Sequence, residues 1–171
     1  MIAAVVLAAG AATRFGAPKQ RLLLPAVLER LGELDPVVVV AGAHPLEGAV
    51  HCPDWERGPG ASLRCGLAAL PEGVEAAVVV LADGPELVPE AIDRVVAAWR
   101  ESGAPVVAAS YGGARGHPLL VARESWDEIP DEGLRAVDPL LVPCDDLGAP
   151  GDVDYASDLP ERFRTGPDEP M

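Results

Sequence analysis

Residues 2–19 read IAAVVLAAGAATRFGAPK, an apolar run followed by a loop of small and basic residues. Residues 2–7 are continuously apolar rather than alternating, which is typical of a strand buried on both faces of a sheet. The run is short, no basic flank precedes it and it leads into Gly10, so it predicts neither a signal peptide nor a membrane span. Small residues let backbone N–H groups approach a phosphate closely, and Arg14 and Lys19 add positive charge. The segment therefore predicts a phosphate-binding loop after a strand.

Two better-known glycine loops do not fit this segment. It contains no G-x-G-x-x-G, and Lys19 stands between Pro18 and Gln20 rather than in a G-K-[ST] sequence. The sequence therefore supports neither a dinucleotide-binding loop nor a P-loop. An ordinary strand-to-helix turn is the alternative interpretation of these residues.

Apolar runs of the same kind alternate with segments of helical period along the rest of the chain. Strands are predicted at Val37–Ala41, at 77–81 and, from a weaker pattern, at 106–109. Helical stripes are formed by Val27, Leu28, Leu31 and Leu34 after Pro25, by Leu63, Leu67 and Leu70, and by Ile92, Val95, Val96 and Trp99 between Pro89 and Gly103. The alternation predicts an α/β fold, a single-domain Rossmann-like three-layer sandwich with a mostly parallel central sheet. We expect this domain to span residues 1–163 and residues 164–171 to form a disordered tail.

The charge of the chain is strongly acidic, with 27 acidic against 13 basic residues and a net charge of −14. Such a surface repels nucleic acid and anionic lipid, so neither is expected as a partner. Residues 1–30 are the exception, because they carry four basic residues and one acidic residue. A basic opening on an acidic protein indicates a local anion site, although solvated loop charges would look the same.

Three cysteines, Cys52, Cys65 and Cys144, are far apart and odd in number. They form neither a C-x-x-C pair nor a zinc-like spacing with the histidines. We therefore expect reduced thiols and a cytoplasmic protein.

Ligands of such sheets bind beyond the carboxyl ends of the strands, and Asp83 follows the strand predicted at 77–81. A carboxylate there is suited to holding Mg²⁺ against a triphosphate. A helix N-cap or a turn aspartate is the alternative interpretation of Asp83 taken alone.

Five segments of the chain resemble motifs of one family, the MobA-like nucleotidyltransferases. The first consists of Leu7-Ala8-Ala9-Gly10 with Arg14, Gly16 and Lys19, which resembles the signature loop of that family. The others are 58–67, 78–85, 113–118 and 148–159. The resemblance implies the nucleotide-diphospho-sugar transferase type of the predicted sandwich.

Residue roles follow from the same resemblance. Nucleotide binding is implied for Leu7, Ala8, Ala9, Gly10, Arg14, Lys19, Gly60 and Ser62. Catalytic roles are implied for Arg14, Lys19 and Asp83. Metal binding is implied for Asp83 and Asp154, and acceptor binding for Arg115 and His117, although a histidine before proline is often structural. Two carboxylates and phosphate oxygens suit the oxygen shell of Mg²⁺.

The implied activity is transfer of a nucleoside monophosphate from an NTP to a small phosphorylated acceptor, with release of pyrophosphate. CTP is favoured because the side chain of Ala9 leaves less room for a purine. Molybdopterin is the candidate acceptor, by analogy with the segment around His117, which implies a role in molybdenum cofactor biosynthesis.

Departures from the family pattern keep two alternatives open. Gly84 stands where the family usually has Gln, Ala12 where Ser is common, and Tyr155 and Ala156 where Thr and Pro are usual; the segment after Lys19 is also short. A degenerate member that binds nucleotide or a partner without catalysis is one alternative. A sugar-phosphate nucleotidyltransferase is the other.

Overall fold

A seven-stranded sheet forms the centre of the molecule in the computed structural model, which describes residues 1–8, 19–43 and 45–150, without the side chains of 19–22. Its strands are β1 (Ile2–Ala8), β2 (Val37–Ala41), β3 (Val50–His51), β4 (Ala76–Leu81), β5 (Val106–Tyr111), β6 (Ala114–Ala122) and β7 (Leu140–Pro143). The helices are α1 (Lys19–Glu29), α2 (Pro59–Ala68) and α3 (Pro89–Ser102), with 3₁₀ turns at Trp55–Arg57, Arg123–Glu128 and Leu134–Ala136.

The strand order is β3-β2-β1-β4-β6-β5-β7. Only β6 runs against its neighbours in this sheet, whereas β1 pairs in parallel with β2 and β4, and β5 in parallel with β7. The predicted α/β fold with a mostly parallel sheet is confirmed.

Strand β1 explains why its sequence is continuously apolar. Ala3 and Val5 are fully buried in the layer that contains α2, and Ala4 and Val6 are fully buried in the layer that contains α1 and α3. Successive side chains of a strand point to opposite faces, so a strand covered on both sides has no polar position. Helices on both faces complete the three predicted layers.

Two of the predicted helices differ in how well their ends were foreseen. Helix α3 begins at Pro89, and Gly103 ends it in the left-handed conformation with φ 67°, donating its N–H to the Trp99 carbonyl oxygen at 2.8 Å. The predicted start of α1 near Pro25 is wrong, because Pro25 lies inside the helix. The preference of proline for the first turn is statistical, and here the helix begins six residues earlier, at Lys19.

Strand β6 was not predicted from the sequence, in which residues 113–118 were identified only as a motif of the family resemblance. Gly112 and Gly113 have φ of 62° and 83° and form the turn of a β5–β6 hairpin. The ladder passes from the pair Ala108–Leu119 to the pair Ser110–Arg115, so residues 116–118 lie opposite Ala109 alone. This bulge accommodates a proline within a strand, a residue that otherwise argues against one.

Cys52 and Cys65 are joined in a disulfide that links the end of β3 to α2. The expectation of three reduced thiols is therefore wrong, and only Cys144 is a free thiol, buried beside β7. Spacing along the chain gave no sign of the pair, because it is brought together by the packing of α2 on the sheet. The cytoplasmic location loses its sequence argument and stays a prediction.

The part of the chain that the structure describes contains no helix long and apolar enough to cross a membrane.

Candidate active site

The ends of β1 and β4 meet at one edge of the sheet. Leu7 pairs with Leu81, and the Ala82 N–H donates to the Leu7 carbonyl oxygen at 3.0 Å. Ala8 and Asp83 therefore leave their strands side by side. Ala8 is buried, whereas Asp83 is half-buried in the turn after β4. The predicted phosphate loop thus starts next to the predicted metal ligand.

Helix α1 begins at this same edge. The Asp35 N–H, beyond the far end of α1, donates to the Ile2 carbonyl oxygen at 3.4 Å, at the start of β1. The first turn of α1, with Lys19, therefore faces the carboxyl edge, where helix N–H groups attract anions. Ala9, Gly10 and Arg14 of the predicted loop, and Asp154, lie outside the described residues.

A cavity of about 330 Å³ opens at the carboxyl edge between the predicted nucleotide and acceptor residues. Leu7 and Leu81 line it from the sheet, Pro59 and Leu63 from α2, and residues 115–117 from the start of β6. Its remaining wall is the segment 132–135. The structure therefore brings Leu7, Arg115 and His117 together around one cavity.

Gly60 and Ser62 lie in the first turn of α2, beneath the segment 129–137. The Gly60 N–H donates to the Asp131 carbonyl oxygen at 2.9 Å, and a Cβ atom at Gly60 would lie 1.7 Å from the Pro130 carbonyl oxygen. This close approach explains the glycine without a ligand. Ser62 is 3% exposed, and its hydroxyl has no hydrogen-bond partner among the described residues. The predicted nucleobase contacts of both residues stay predictions.

Arg115 has a structural role that the sequence did not indicate. Its guanidinium donates to the Leu134 carbonyl oxygen at 3.2 Å and to the carbonyl oxygens of Arg135 and Val137. Three backbone acceptors thus engage the group that the resemblance assigned to acceptor binding. Arg115 therefore holds residues 134–137, of which Leu134 and Arg135 line the cavity.

A second arginine fixes the other end of this segment. The Arg64 guanidinium on α2 donates to the Ile129 carbonyl oxygen and to the Asp131 carboxylate, both at 2.5 Å, and Arg57 adds a contact of 3.3 Å to Asp131. The hydrogen bond from Arg64 lowers the pKa of Asp131, and the charge of Arg57 adds to that effect. Glycines at positions 58 and 60 are compatible with a close backbone approach, but nothing in the sequence identifies the segment that they approach.

His117 lies in the β6 bulge and faces the cavity region from its half-buried position. The Tyr111 hydroxyl donates to the His117 carbonyl oxygen at 2.7 Å. Burial raises the pKa of Tyr111 to about 12, and the nearby Cys144 adds to the increase, so this hydroxyl stays a donor at neutral pH. The bulge is therefore held from its own hairpin partner.

The described residues contain no group of three or more His, Cys, Asp or Glu that could hold a metal ion. The Asp83 carboxylate nevertheless has the hard oxygen donors that Mg²⁺ and Mn²⁺ accept, at the edge where the phosphate loop begins. The residues present therefore fit a cation that takes most of its other ligands from a bound triphosphate.

Comparison with known proteins identifies the class. Residues 4–137 match the model of the MobA-like NTP transferase domain. A homolog of Mycobacterium tuberculosis Rv0371c from Mycobacterium sp. strain JC1 is 26% identical, with a TM-score of 0.74 and 92% of each chain covered. Rv0371c from M. tuberculosis H37Rv is 25% identical, with a TM-score of 0.69 over 92% of this chain and 94% of that one, and it has also been solved in complex with manganese. No curated protein sequence matches the chain.

The match to this family model defines the protein as a nucleotidyltransferase that uses an NTP. The chain belongs to the MobA-like NTP transferase domain family.

Proposed function

We propose that this protein transfers a nucleoside monophosphate, CMP by preference, from an NTP to a small phosphorylated acceptor, with molybdopterin as the candidate. The observation that carries the proposal is the pairing of Leu7 with Leu81. The pairing sets Ala8, after which the proposed phosphate loop begins, beside the turn that carries Asp83, at the edge of the sheet where the cavity lined by His117 opens.

The chemistry asks the protein for alignment and charge neutralisation rather than for covalent catalysis. A phosphate oxygen of the acceptor attacks the α-phosphorus and forms a new P–O bond. The bond from the α-phosphorus to the bridging oxygen breaks, and its electron pair leaves with pyrophosphate. We assign the triphosphate to Arg14 and Lys19, with the backbone of residues 7–10, because these groups follow the strand that ends beside Asp83.

We assign a divalent cation, Mg²⁺ by preference, to Asp83 and Asp154. Bound there, the cation would screen the repulsion between the triphosphate and the incoming phosphate. The half-buried position of Asp83 and the manganese complex of the Mycobacterium tuberculosis neighbour support the assignment.

The base is assigned from the first loop. Ala9 follows the buried Ala8 in the sequence, and we propose that a side chain at position 9 leaves less room for a purine base than a glycine would. Gly60 and Ser62 are proposed to complete the base site from α2. A pyrimidine fits these restrictions better than a purine.

Pyrophosphate release with CTP, UTP, GTP and ATP, in the presence of Mg²⁺ and molybdopterin, tests the proposal. We expect CTP to be preferred, EDTA to abolish the reaction, and Asp83→Asn to lower turnover by about 10²–10³-fold. Asp93→Asn is the matched control, because Asp93 is exposed on α3 and lines a different cavity together with Ile2, at the amino end of β1. Turnover of Asp83→Asn close to that of the native protein would contradict the assigned role.

A further inference from the structure

We infer that the cavity at the carboxyl edge accepts the non-phosphate part of the acceptor, and that this part presents the face of a flat ring system or a short hydrocarbon to the cavity rather than a polyhydroxylated sugar. The inference rests on the proposed function, because it names the acceptor class of the same site. It is carried by the chemistry of the cavity walls.

The inner walls of the cavity are apolar. Leu63 and Val79 are each 1% exposed, and Leu119 is 6% exposed, so the bottom of the cavity is part of the main core. Leu7, Leu81 and Leu134 continue the same surface towards the opening. Burial of an apolar body against such side chains is favourable in proportion to the area removed from water.

Four polar side chains line the cavity; Arg115, Glu132 and Arg135 are engaged elsewhere or exposed, and His117 is the fourth. The Arg115 guanidinium donates to three carbonyl oxygens of residues 134–137. Glu132 and Arg135 are exposed, which places their charges at the opening. No Ser, Thr, Asn or Gln lines the cavity among the described residues.

A sugar would leave several hydroxyl groups in this space without partners. A hydroxyl group that loses its hydrogen bonds to water and gains none in the cavity makes the binding free energy less favourable. The face of a ring or a short hydrocarbon has no such hydrogen bonds to lose. At about 330 Å³ the cavity is near the small end of ligand sites, which favours a compact body. The cavity thus disfavours a sugar phosphate.

The wall is also held in place before any ligand binds. Arg64 and Arg115 fix the two ends of the segment 129–137, and Gly60 packs against its middle. A wall ordered in advance costs less to bind against and discriminates by shape. Because the wall is held in place, the cavity does not rearrange to offer hydrogen bonds to a sugar, and its apolar lining selects against one.

The test compares two phosphate monoesters as probes, 1-naphthyl phosphate and glucose 1-phosphate, with the full-length protein, CTP and Mg²⁺. Fluorescence titration measures the Kd of 1-naphthyl phosphate, and competition measures that of glucose 1-phosphate. We expect the naphthyl ester to bind at least tenfold more tightly. Leu81→Asn, which adds polar groups at the wall, and Leu81→Phe, which fills the cavity, should each weaken it about tenfold or more.

Leu140→Asn is the matched control, since Leu140 is 42% exposed on β7, outside the cavity, and its change should leave both Kd values unaltered. Equal or tighter binding of glucose 1-phosphate overturns the inference, as does an unchanged Kd of the naphthyl ester in both folded Leu81 variants. Absence of pyrophosphate release with every acceptor, while the naphthyl ester still binds as expected, would instead overturn the proposed function.

Discussion

Gly60 and Pro130 approach so closely that no side chain fits between them. A Cβ atom on Gly60 would lie 1.7 Å from the Pro130 carbonyl oxygen and 2.9 Å from the Gly133 nitrogen. The contact joins the first turn of α2 to the segment that walls the cavity. It makes the position a sensitive probe of this packing.

Gly60→Ala is expected to destabilise the protein by about 3 kcal/mol, because backbone atoms must move to admit the methyl group. Urea denaturation of both proteins measures the free energy of unfolding. Gly73→Ala is the control, as no atom lies within 4 Å of a Cβ placed there. Equal stability of the two alanine variants would contradict the close approach.

Arg115→Ala is expected to cost about 2 kcal/mol of stability, since the carbonyl oxygens of residues 134, 135 and 137 lose their donor. It should also weaken 1-naphthyl phosphate binding, because Leu134 belongs to the wall that this arginine holds. Thermal unfolding and fluorescence titration measure the two effects.

Arg123→Ala separates the two effects of the previous variant. Arg123 likewise donates to backbone carbonyl oxygens, of Pro71 and Val74, and its guanidinium lies 4.7 Å from the Trp126 ring centre, but it does not line the cavity. We expect it to lower stability and leave the Kd unchanged. A parallel loss of binding in Arg123→Ala would show that the effect of Arg115→Ala is only general loosening.

Reduction of the Cys52–Cys65 disulfide is expected to lower stability by about 3 kcal/mol, because the bond closes a short loop of the unfolded chain. Thiol titration of the denatured protein should give one thiol without reductant and three with it. Denaturation with and without a phosphine reductant measures the difference. Cys144→Ser should keep the response to reductant, whereas Cys52→Ser should lose it. Three thiols in protein prepared without reductant would contradict the disulfide.

The pair Arg94–Asp146 is expected to give stability a dependence on acidic pH. Two hydrogen bonds of 2.7 and 2.8 Å from Arg94 hold the pKa of Asp146 at about 2, below its ordinary value of 3.8. Because the folded pKa is depressed, the stabilisation is complete above about pH 4 and is lost as the pH falls through 2. Thermal melts between pH 5 and 2 should therefore show a shallower fall in Tm for Asp146→Asn than for the native protein. Asp127→Asn, at an exposed position without an ion pair among the described contacts, should keep the native slope.

The sequence predicted the parallel part of the sheet, where apolar strand patterns alternate with helical segments. Strands β1, β2 and β4 are apolar and pair in parallel. Their parallel pairing follows from the helices that connect them in the chain. Strand β6 was not predicted because Pro118 and the three glycines in residues 112–116 are typical of a loop. The β-bulge allows these residues to lie in a strand that pairs with β5. Strand β3 was not predicted because its two residues are too few to show a strand pattern.

The candidate site divides in the same way. The position of Asp83 beside the end of β1 follows from an apolar strand and a parallel sheet, so the sequence sufficed. The roles of Arg64 and Arg115 could not be predicted from the sequence, because each donates hydrogen bonds to carbonyl oxygens that lie 19 or more residues away in the chain. A carbonyl acceptor is common to all residues and leaves no trace in the sequence.

The reversed direction of β6 has a consequence for how relatives of this protein could diverge. Because β6 runs against its neighbours, the tip of one hairpin, Gly112 and Gly113, projects from the same margin as the ends of the parallel strands. The Asp145 carboxylate accepts a hydrogen bond from the Gly112 N–H and so ties this tip to the chain after β7. Insertions at the tip would reshape the cavity lined by residues 115–117, and strands β1 and β4, which end at Ala8 and Leu81, would be left undisturbed. The hairpin tip and the ends of the parallel strands can thus change independently of one another in related proteins.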